Sequence, residues 1–334
     1  MMSIILINWN GWADTIACIQ SLLNSSSTDA RIIVVDNNSS DESLVALKSW
    51  AEGGLELLGC NGDVERLAFE GRLKRRHCSF IQYKPVVHDF IGLEVESNAD
   101  EDTRIHIYFV SVDHNGGFGY GCNVGMRLGE KLNSHAYWLL NNDCVVKPDS
   151  LGLVFKKIEA NPLVIFGTIL RFYFCPDVIQ AVGGGFCSSI TGRVQTATSL
   201  DKNYPLNFIN GASMIISAKC FRMVGGFDEA IFMYFEEIDF CIRAAAVGYS
   251  FDVIRTDVFH KHGGSQGKVS SVGAWRNALV NQNYVLYKHI GCGSWIVFFY
   301  LKLLLRCFIP RGEKNARIGA RQALKQLVFG RAKA

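Results

Sequence analysis

The sequence predicts an α/β fold with a mostly parallel central sheet flanked by helices. Three observations carry this expectation. Short β-branched runs alternate with helical periodicity through the first half. Apolar residues make up 49% of 334 residues, enough for a sizeable core. Polar side chains gather directly after the strand-like runs, where open α/β sheets bind ligands.

Residues 3–7 are an isoleucine-rich run, read as a buried first strand, with a loop over 8–11. Trp12–Leu23 places Ile16, Ile19, Leu22 and Leu23 at helical spacing. Residues 31–35 form a second strand ending at Asp36, and Ser40 is the expected N-cap of a helix over 44–50. The pattern then fails from 53 to 104, a mixed and charged stretch read as an insertion or extended loop. It returns with a strand over 105–112, a glycine-rich loop over 115–121 and a helix to about Leu132. A strand over 136–140 runs into Asn141-Asn142-Asp143, and Pro148 suits the first position of the next helix. Beyond Pro162 the reading is short strands and turns at 183–194, a strand over 208–217, a helix over 235–246 and a strand at 250–254. Residues 272–334 are helical in pattern. The expected organisation is a main domain over 1–270, carrying the 53–104 insertion, and a helical extension over 271–334.

Net charge is +3, which gives no case for a nucleic-acid partner. The charge is uneven. Residues 302–334 carry nine Lys/Arg against Glu313, a net of +8, so the remainder carries −5. A basic tail suits an anionic lipid surface or a solvated helix face. Its apolar stretch, 295–305, is interrupted by Lys302 and falls short of the about 20 residues a spanning helix needs. With Tyr284, Tyr287, Trp295 and Tyr300 nearby, peripheral contact with the cytoplasmic face of a membrane is one expectation and packing on the main domain the other. Eleven cysteines, with no Cys-x-x-Cys pair, read as core residues in a reducing cytoplasm. The N-terminus lacks the basic segment of a secretory signal.

Candidate chemistry sits in four places. Asn8, Asp36 and Asn141-Asn142-Asp143 each follow a strand; Asn and Asp also favour turns, but three cases on separate strands point to a site. Asp143 is the candidate metal ligand, since a hard divalent cation takes carboxylate oxygens together with substrate phosphates. Glu236, Glu237 and Asp239 open a helix on which 236 and 239 share a face and 237 turns about 100° away. They could serve the helix dipole, or one could be a general base for a hydroxyl nucleophile. His260 and His262 are candidates for the metal or a diphosphate. The stretch from Asn115 to Gly125 resembles a phosphate-cradling turn. Its glycine spacing departs from Gly-x-Gly-x-x-Gly, which disfavours a nicotinamide oxidoreductase.

Eight stretches, in order, resemble glycosyltransferase family 2: Ser3-Ile-Ile-Leu-Ile-Asn-Trp-Asn-Gly-Trp, Ile32-Ile-Val-Val-Asp-Asn-Asn-Ser-Ser-Asp, Asn115-Gly-Gly-Phe-Gly, Leu139-Leu-Asn-Asn-Asp, Asn210-Gly-Ala-Ser-Met, Gly225-Gly-Phe-Asp-Glu, Tyr234-Phe-Glu-Glu-Ile-Asp and His260-Lys-His-Gly-Gly-Ser. Within the family the likeness is to rhamnosyltransferase-like bacterial enzymes of surface-polysaccharide assembly. The resemblance implies the GT-A fold and an inverting transfer of a sugar, such as rhamnose, from a nucleotide-diphosphate sugar to a hydroxyl of a saccharide or lipid-linked acceptor. It implies that Asn8, Asp36, Asn115, Gly116, Gly119, Asn142 and Gly211 shape the donor pocket. It further implies that Asp143 and His260 hold Mg²⁺ or Mn²⁺, with His262 the alternative histidine. Asn141 stands where the family often has the first Asp of Asp-x-Asp. Glu237 stands where the family's base is usually Asp, so Asp239 remains a rival and Glu236 its neighbour. A non-catalytic, membrane-associated assembly protein is the competing expectation.

Overall fold

The structure is a computed structural model describing residues 1–25, 30–55, 63–69, 77–85, 88–92, 105–189, 192–201, 204–261, 271–291, 293, 295–308 and 314–329. The first half contains β1 (Met2–Asn8), α1 (Trp12–Leu23), β2 (Ala30–Asp36), α2 (Ser43–Ala51), α3 (Asp63–Phe69), β3 (His77–Lys84), β4 (Asp89–Ile91), β5 (His106–Ser111), α4 (Gly117–Lys131) and β6 (Ala136–Asn141). Next come β7 (Cys144–Val146), α5 (Ser150–Ala160), β8 (Val164–Phe172), β9 (Cys175–Val182), β10 (Gly184–Cys187), β11 (Val194–Thr196), β12 (Phe208–Ile209) and β13 (Ser213–Ser217). The chain continues through α6 (Ala218–Val224), α7 (Glu236–Ala246), β14 (Ser250–His260), α8 (Val272–Ile290), α9 (Trp295–Phe308) and α10 (Lys314–Phe329).

The main sheet runs β4-β3-β5-β2-β1-β6-β13-β8-β14-β7, with β9 added to β8. Its β3-β5-β2-β1-β6 portion is wholly parallel. Strands buried on both faces read as continuous apolar runs, as β1 and β2 do. Alternate residues face two cores. Ile5, Ile33 and Leu139 join α4, α6 and α7 on one side. Ile4, Leu6, Ile32, Val34, Trp138 and Leu140 join α1, α2 and α5 on the other. In α4, the spacing of Gly121, Gly125 and Gly129 lets the helix lie close to the sheet. A Cβ on Gly125 would come within 2.5 Å of Ile5, and one on Gly129 within 2.6 Å of Tyr137. Register places Asn8 opposite Asp36 and Ile7 opposite Asn141, so these strand ends line one edge.

Several boundaries differ from the expectations. The 53–104 stretch is not simply an insertion: β3 pairs parallel with β5, and β4 closes the edge antiparallel. Near the sheet edge only alternate residues such as Ile81 and Tyr83 are buried, so no continuous apolar run announces the strand. Residues 56–62, 70–76, 86–87 and 93–104 lie outside the described residues. Ser40 is not an N-cap; its backbone N–H donates to Asn10 Oδ1 (2.8 Å), and α2 begins after Glu42. The glycine-rich run is helix from Gly117 onward, and α5 begins after Asp149 rather than at Pro148. The 208–217 strand is broken where Asn210 Oδ1 accepts from the Ala212 N–H (2.9 Å). The halves enter different sheets, β12 the small β11-β10-β12 sheet and β13 the main one. The strand expected at 250–254 continues past a bulge to His260.

The three C-terminal helices form a satellite core around Leu279, Leu286, Trp295, Phe299 and Leu303. Among the described residues no helix is long and apolar enough to cross a membrane. A polar latch ties α8 to α7. Buried Asp239 accepts from Lys288 Nζ (2.8 Å), His289 Nε2 (2.8 Å) and Arg243 Nε (2.8 Å), and Lys288 also reaches Asp228 (2.6 Å). Burial alone would raise the Asp239 pKa, but His289, Lys288 and Arg243 together hold it down at about 2. Because this folded pKa is depressed, the stabilisation is present above the unfolded value of about 3.9 and is lost as pH falls through about 2. Asp239→Asn should therefore destabilise the chain at neutral pH by about 3–5 kcal/mol in urea unfolding, the cost of breaking a buried ion pair.

Candidate active site

The edge formed by the ends of β1, β2 and β6 carries a connected set of amides, hydroxyls and one carboxylate. Asn8 is fully buried. Its Nδ2 donates to Asp36 Oδ1 (2.7 Å) and to Ser39 Oγ (3.2 Å), and its Oδ1 accepts from Thr15 Oγ1 (2.8 Å). Asn142 Nδ2 donates to the same Thr15 hydroxyl (2.9 Å), linking the β6 loop to α1. Three internal bonds engage the Asn8 side chain, and the one to Asp36 helps to align that carboxylate. Asp36 Oδ1 also accepts from Ser39 Oγ (2.6 Å), and its Oδ2 accepts from the Ser39 N–H (3.1 Å) with acceptor capacity to spare.

Asn115 Oδ1 accepts from Asn37 Nδ2 and from the Gly117 N–H, each at 3.0 Å, setting the start of α4. The following glycines admit protein neighbours. A Cβ on Gly116 would come within 2.4 Å of the Tyr120 ring, and one on Gly119 within 3.0 Å of Phe227. Gly117, at φ +88°, would place a Cβ 2.0 Å from Phe232 O. At these glycines the missing side chains make room for close packing of Tyr120, Phe227 and Phe232. Gly211 lies beside Phe118 and Glu237: a methyl group there would lie 3.5 Å from the Phe118 ring and 3.8 Å from Glu237 Cβ.

Asp143 and His260 meet as expected, with Asp143 Oδ1 3.1 Å from His260 Nε2. Gln180 Oε1 can only accept, so His260 Nδ1 donates to it (3.0 Å). His260 Nε2 faces Asn141 Nδ2 (3.2 Å) and the Asp143 carboxylate. An imidazole nitrogen beside a carboxylate oxygen is a donor pair suited to a cation, with phosphate oxygens completing the set. Cys144 lies within the same 4.8 Å cluster. Its thiol is fully buried, donates to Ala212 O, and is pushed well above its ordinary pKa by burial, so it stays protonated. His262 lies outside the described residues.

The Asn210–Gly211–Ala212 turn joins this pair to the second acidic centre. Asn141 donates its N–H to Ala212 O (3.0 Å), while Gly211 abuts Glu237. Tyr234 and Phe235, at φ +70° and +76°, both occupy the left-handed region just before α7. Such conformations store strain at non-glycine residues, and here they set the direction in which α7 leaves the turn. Glu236 and Glu237 each keep a buried Oε2 without a hydrogen-bond partner. Burial, with the charge of Glu237 beside it, pushes the Glu236 pKa well up. Burial raises Glu237 to about 7 against backbone N–H donors that pull it down. Glu237 lines a cavity of about 340 Å³, with Asn210 and Tyr234 nearby and Trp275, Lys302 and Arg306 of the C-terminal helices opposite. Asp239, the rival base, points instead into its latch with α8 and has no exposed side-chain surface.

Sequence reasoning missed Thr15, Gln180, Trp275, Lys302 and Arg306. Thr15 lies inside an amphipathic helix, and Gln180 is on β9, which joins the sheet through β8, so neither stands out in a one-dimensional pattern. The cationic i, i+4 pair in an apolar helix was the one available signal for the last two.

Residues 3–61 match the family Glycosyl transferase family 2. The low-salt glycan biosynthesis hexosyltransferase Agl10 of Haloferax volcanii is 27% identical over 141 residues, covering 41% of this chain and 46% of that protein. The N-acetylglucosaminyl-diphospho-decaprenol L-rhamnosyltransferase of Mycobacterium tuberculosis is 34% identical over 65 residues, covering 19% of this chain and 21% of that protein. The chain thus aligns with less than half the length of these curated relatives. The fold is shared with GalNAc-T7 solved with UDP, GalNAc and Mn²⁺ (TM-score 0.54, 12% identity, 93% of this chain and 58% of that one). It is also shared with the mannosyltransferase PcManGT from Pyrobaculum calidifontis with GDP-Man and Mn²⁺ (0.52, 13%, 100% and 76%). The architecture is GT-A, and the match over residues 3–61 and the curated relatives support a family 2 glycosyltransferase.

Proposed function

We propose that this chain acts as a family 2 glycosyltransferase, moving a hexose or deoxyhexose from a nucleotide-diphosphate sugar to an acceptor hydroxyl with inversion, in glycan biosynthesis. The observation that carries the reading is Glu237: a recessed carboxylate with an unpartnered oxygen, held near neutral pKa across one turn from the Asp143–His260 pair. A base must be unprotonated yet able to accept a proton near working pH, and a pKa of about 7 meets both needs.

Asp143 and His260 would hold a divalent cation, whose chemistry is to neutralise charge on the departing diphosphate. A mixed oxygen and imidazole pair accommodates Mn²⁺ as well as Mg²⁺. Asp36 Oδ2, aligned by Asn8 and Ser39, would accept from the donor's base. Glu237 takes the acceptor proton on the far side of the anomeric carbon, and no second carboxylate is needed for a single displacement. The test is turnover of a panel of uridine, guanosine and thymidine diphosphate sugars, rhamnose included, with and without Mn²⁺. NMR should find the anomeric configuration inverted. Retention of configuration, or no turnover of any donor, would remove this reading.

Peripheral membrane contact belongs to the same proposal. The outer face of α9 exposes Val297, Phe298, Leu301, Leu304 and Leu305, and α10 adds Lys314, Arg317, Arg321 and Lys325. An apolar stripe beside a basic helix suits an anionic lipid surface. Phe298→Ser with Leu301→Ser should cut flotation with phosphatidylglycerol vesicles by about tenfold or more, from lost burial of two large side chains. Unchanged flotation would count against it.

A further inference from the structure

We propose that the cavity between Glu237 and the C-terminal helices is an acceptor subsite for a phosphorylated saccharide, with Lys302 and Arg306 of α9 receiving its phosphate. This deepens the glycosyltransferase reading and rests on it. The cavity is built from two parts of the chain: Glu237, Asn210 and Tyr234 come from the main domain, whereas Trp275, Lys302 and Arg306 come from α8 and α9. Its volume of about 340 Å³ lies within the range of small-molecule sites.

The cations need an explanation. Lys302 and Arg306 are i, i+4 neighbours on one helix face, an arrangement of like charges that costs energy. Neither has a carboxylate partner among the described residues. Burial and then the nearby charges of Arg306 and Arg193 lower the Lys302 pKa, so the protein destabilises this cation instead of supporting it. Arg306 lies over the Trp275 ring at 5.1 Å, and the buried Trp275 Nε1–H has no acceptor. Two cations and an indole donor converge on a space that a phosphate would complete. The acid on the cavity wall is Glu237, the candidate base. A sugar whose phosphate lies against α9 would extend its body towards that carboxylate, past the apolar Leu279 and Phe299. On this reading the C-terminal helices supply half of the acceptor site, which accounts for the latch that binds α8 so firmly.

The phosphate could belong to a saccharide or to a plain lipid headgroup, and the experiment separates them. Trp fluorescence of the full chain in EDTA would be titrated with three probes: decyl diphospho-N-acetylglucosamine, decyl N-acetylglucosaminide and decyl phosphate. EDTA keeps metal-dependent donor-type binding out of the measurement. The first probe should bind at least tenfold more tightly than either of the others. Lys302→Gln with Arg306→Gln should erase that difference, and Lys302→Arg with Arg306→Lys should retain it within about threefold, at unchanged circular dichroism. Equal binding of the two sugar probes, equal binding of decyl phosphate, or insensitivity to the Gln pair would each overturn the proposal. Glu237→Gln should bind the diphospho probe at least as tightly as the parent chain. If that variant also kept full transfer activity, the catalytic reading would fail while the subsite stood.

Discussion

Glu237→Gln is expected to lower kcat by about 10²–10⁴, the range for removing a positioned general base. Donor KM should stay within a few-fold, because Glu237 lines the cavity beyond the Asn210–Ala212 turn, away from the Asp143–His260 pair. The pH profile gives a second reading. With a pKa of about 7, kcat/KM of the parent chain should rise with pH and level off above neutrality. The Gln variant should lose that limb. Stability separates this outcome from simple unfolding. A carboxyl group whose folded pKa is raised contributes stability below its unfolded pKa of about 4.3, and that contribution is lost as pH rises through about 7. Replacing it by an uncharged isostere should thus leave the protein as stable as the parent at pH 8, or more so. Asp239→Asn should behave in the opposite way, losing stability at pH 7 because its carboxylate is needed in charged form by Lys288 and His289. Full activity of Glu237→Gln across the pH range would refute the assignment of the base.

Asp143→Ala is expected to cost about 10²–10³ in kcat/KM, several kcal/mol of lost charge stabilisation on the departing diphosphate. Steady-state rates measured across a Mn²⁺ titration should lose most of their metal dependence. His260→Ala should act more mildly, raising the metal concentration for half-activation by about 10–100-fold, because one ligand of the pair survives. Gln180→Leu should fall between His260→Ala and the parent chain, since it removes the acceptor that fixes the imidazole tautomer. A metal response unaltered in Asp143→Ala would show that the cation, if used, is held elsewhere. Comparing the two carboxylate variants also separates their roles: Asp143→Ala should weaken binding of the donor diphosphate, and Glu237→Gln should not.

Periodicity and strand-end chemistry determined much of this protein. The isoleucine-rich run of β1 and the β-branched run of β2 read as buried strands, because they are short, β-branched and apolar on both faces. Their polar termini, Asn8, Asp36 and the Asn141-Asn142-Asp143 run, were readable as one edge, since parallel strands of similar length end together. The offset of Glu237 from the Glu236–Asp239 face was likewise set by helical geometry. Tertiary structure decided which of these groups are open to chemistry. Asn8 became a support because three partners surround it, and Asp239 became an anchor because α8, some 50 residues onward, brought Lys288 and His289 to it. The strand β3, next to the edge strand β4, escaped notice because near the sheet margin it buries only alternate residues. Local spacing encodes periodicity and turn chemistry. Burial, protonation and charge pairing depend on what distant segments bring alongside, and those meetings exist only once the chain has folded.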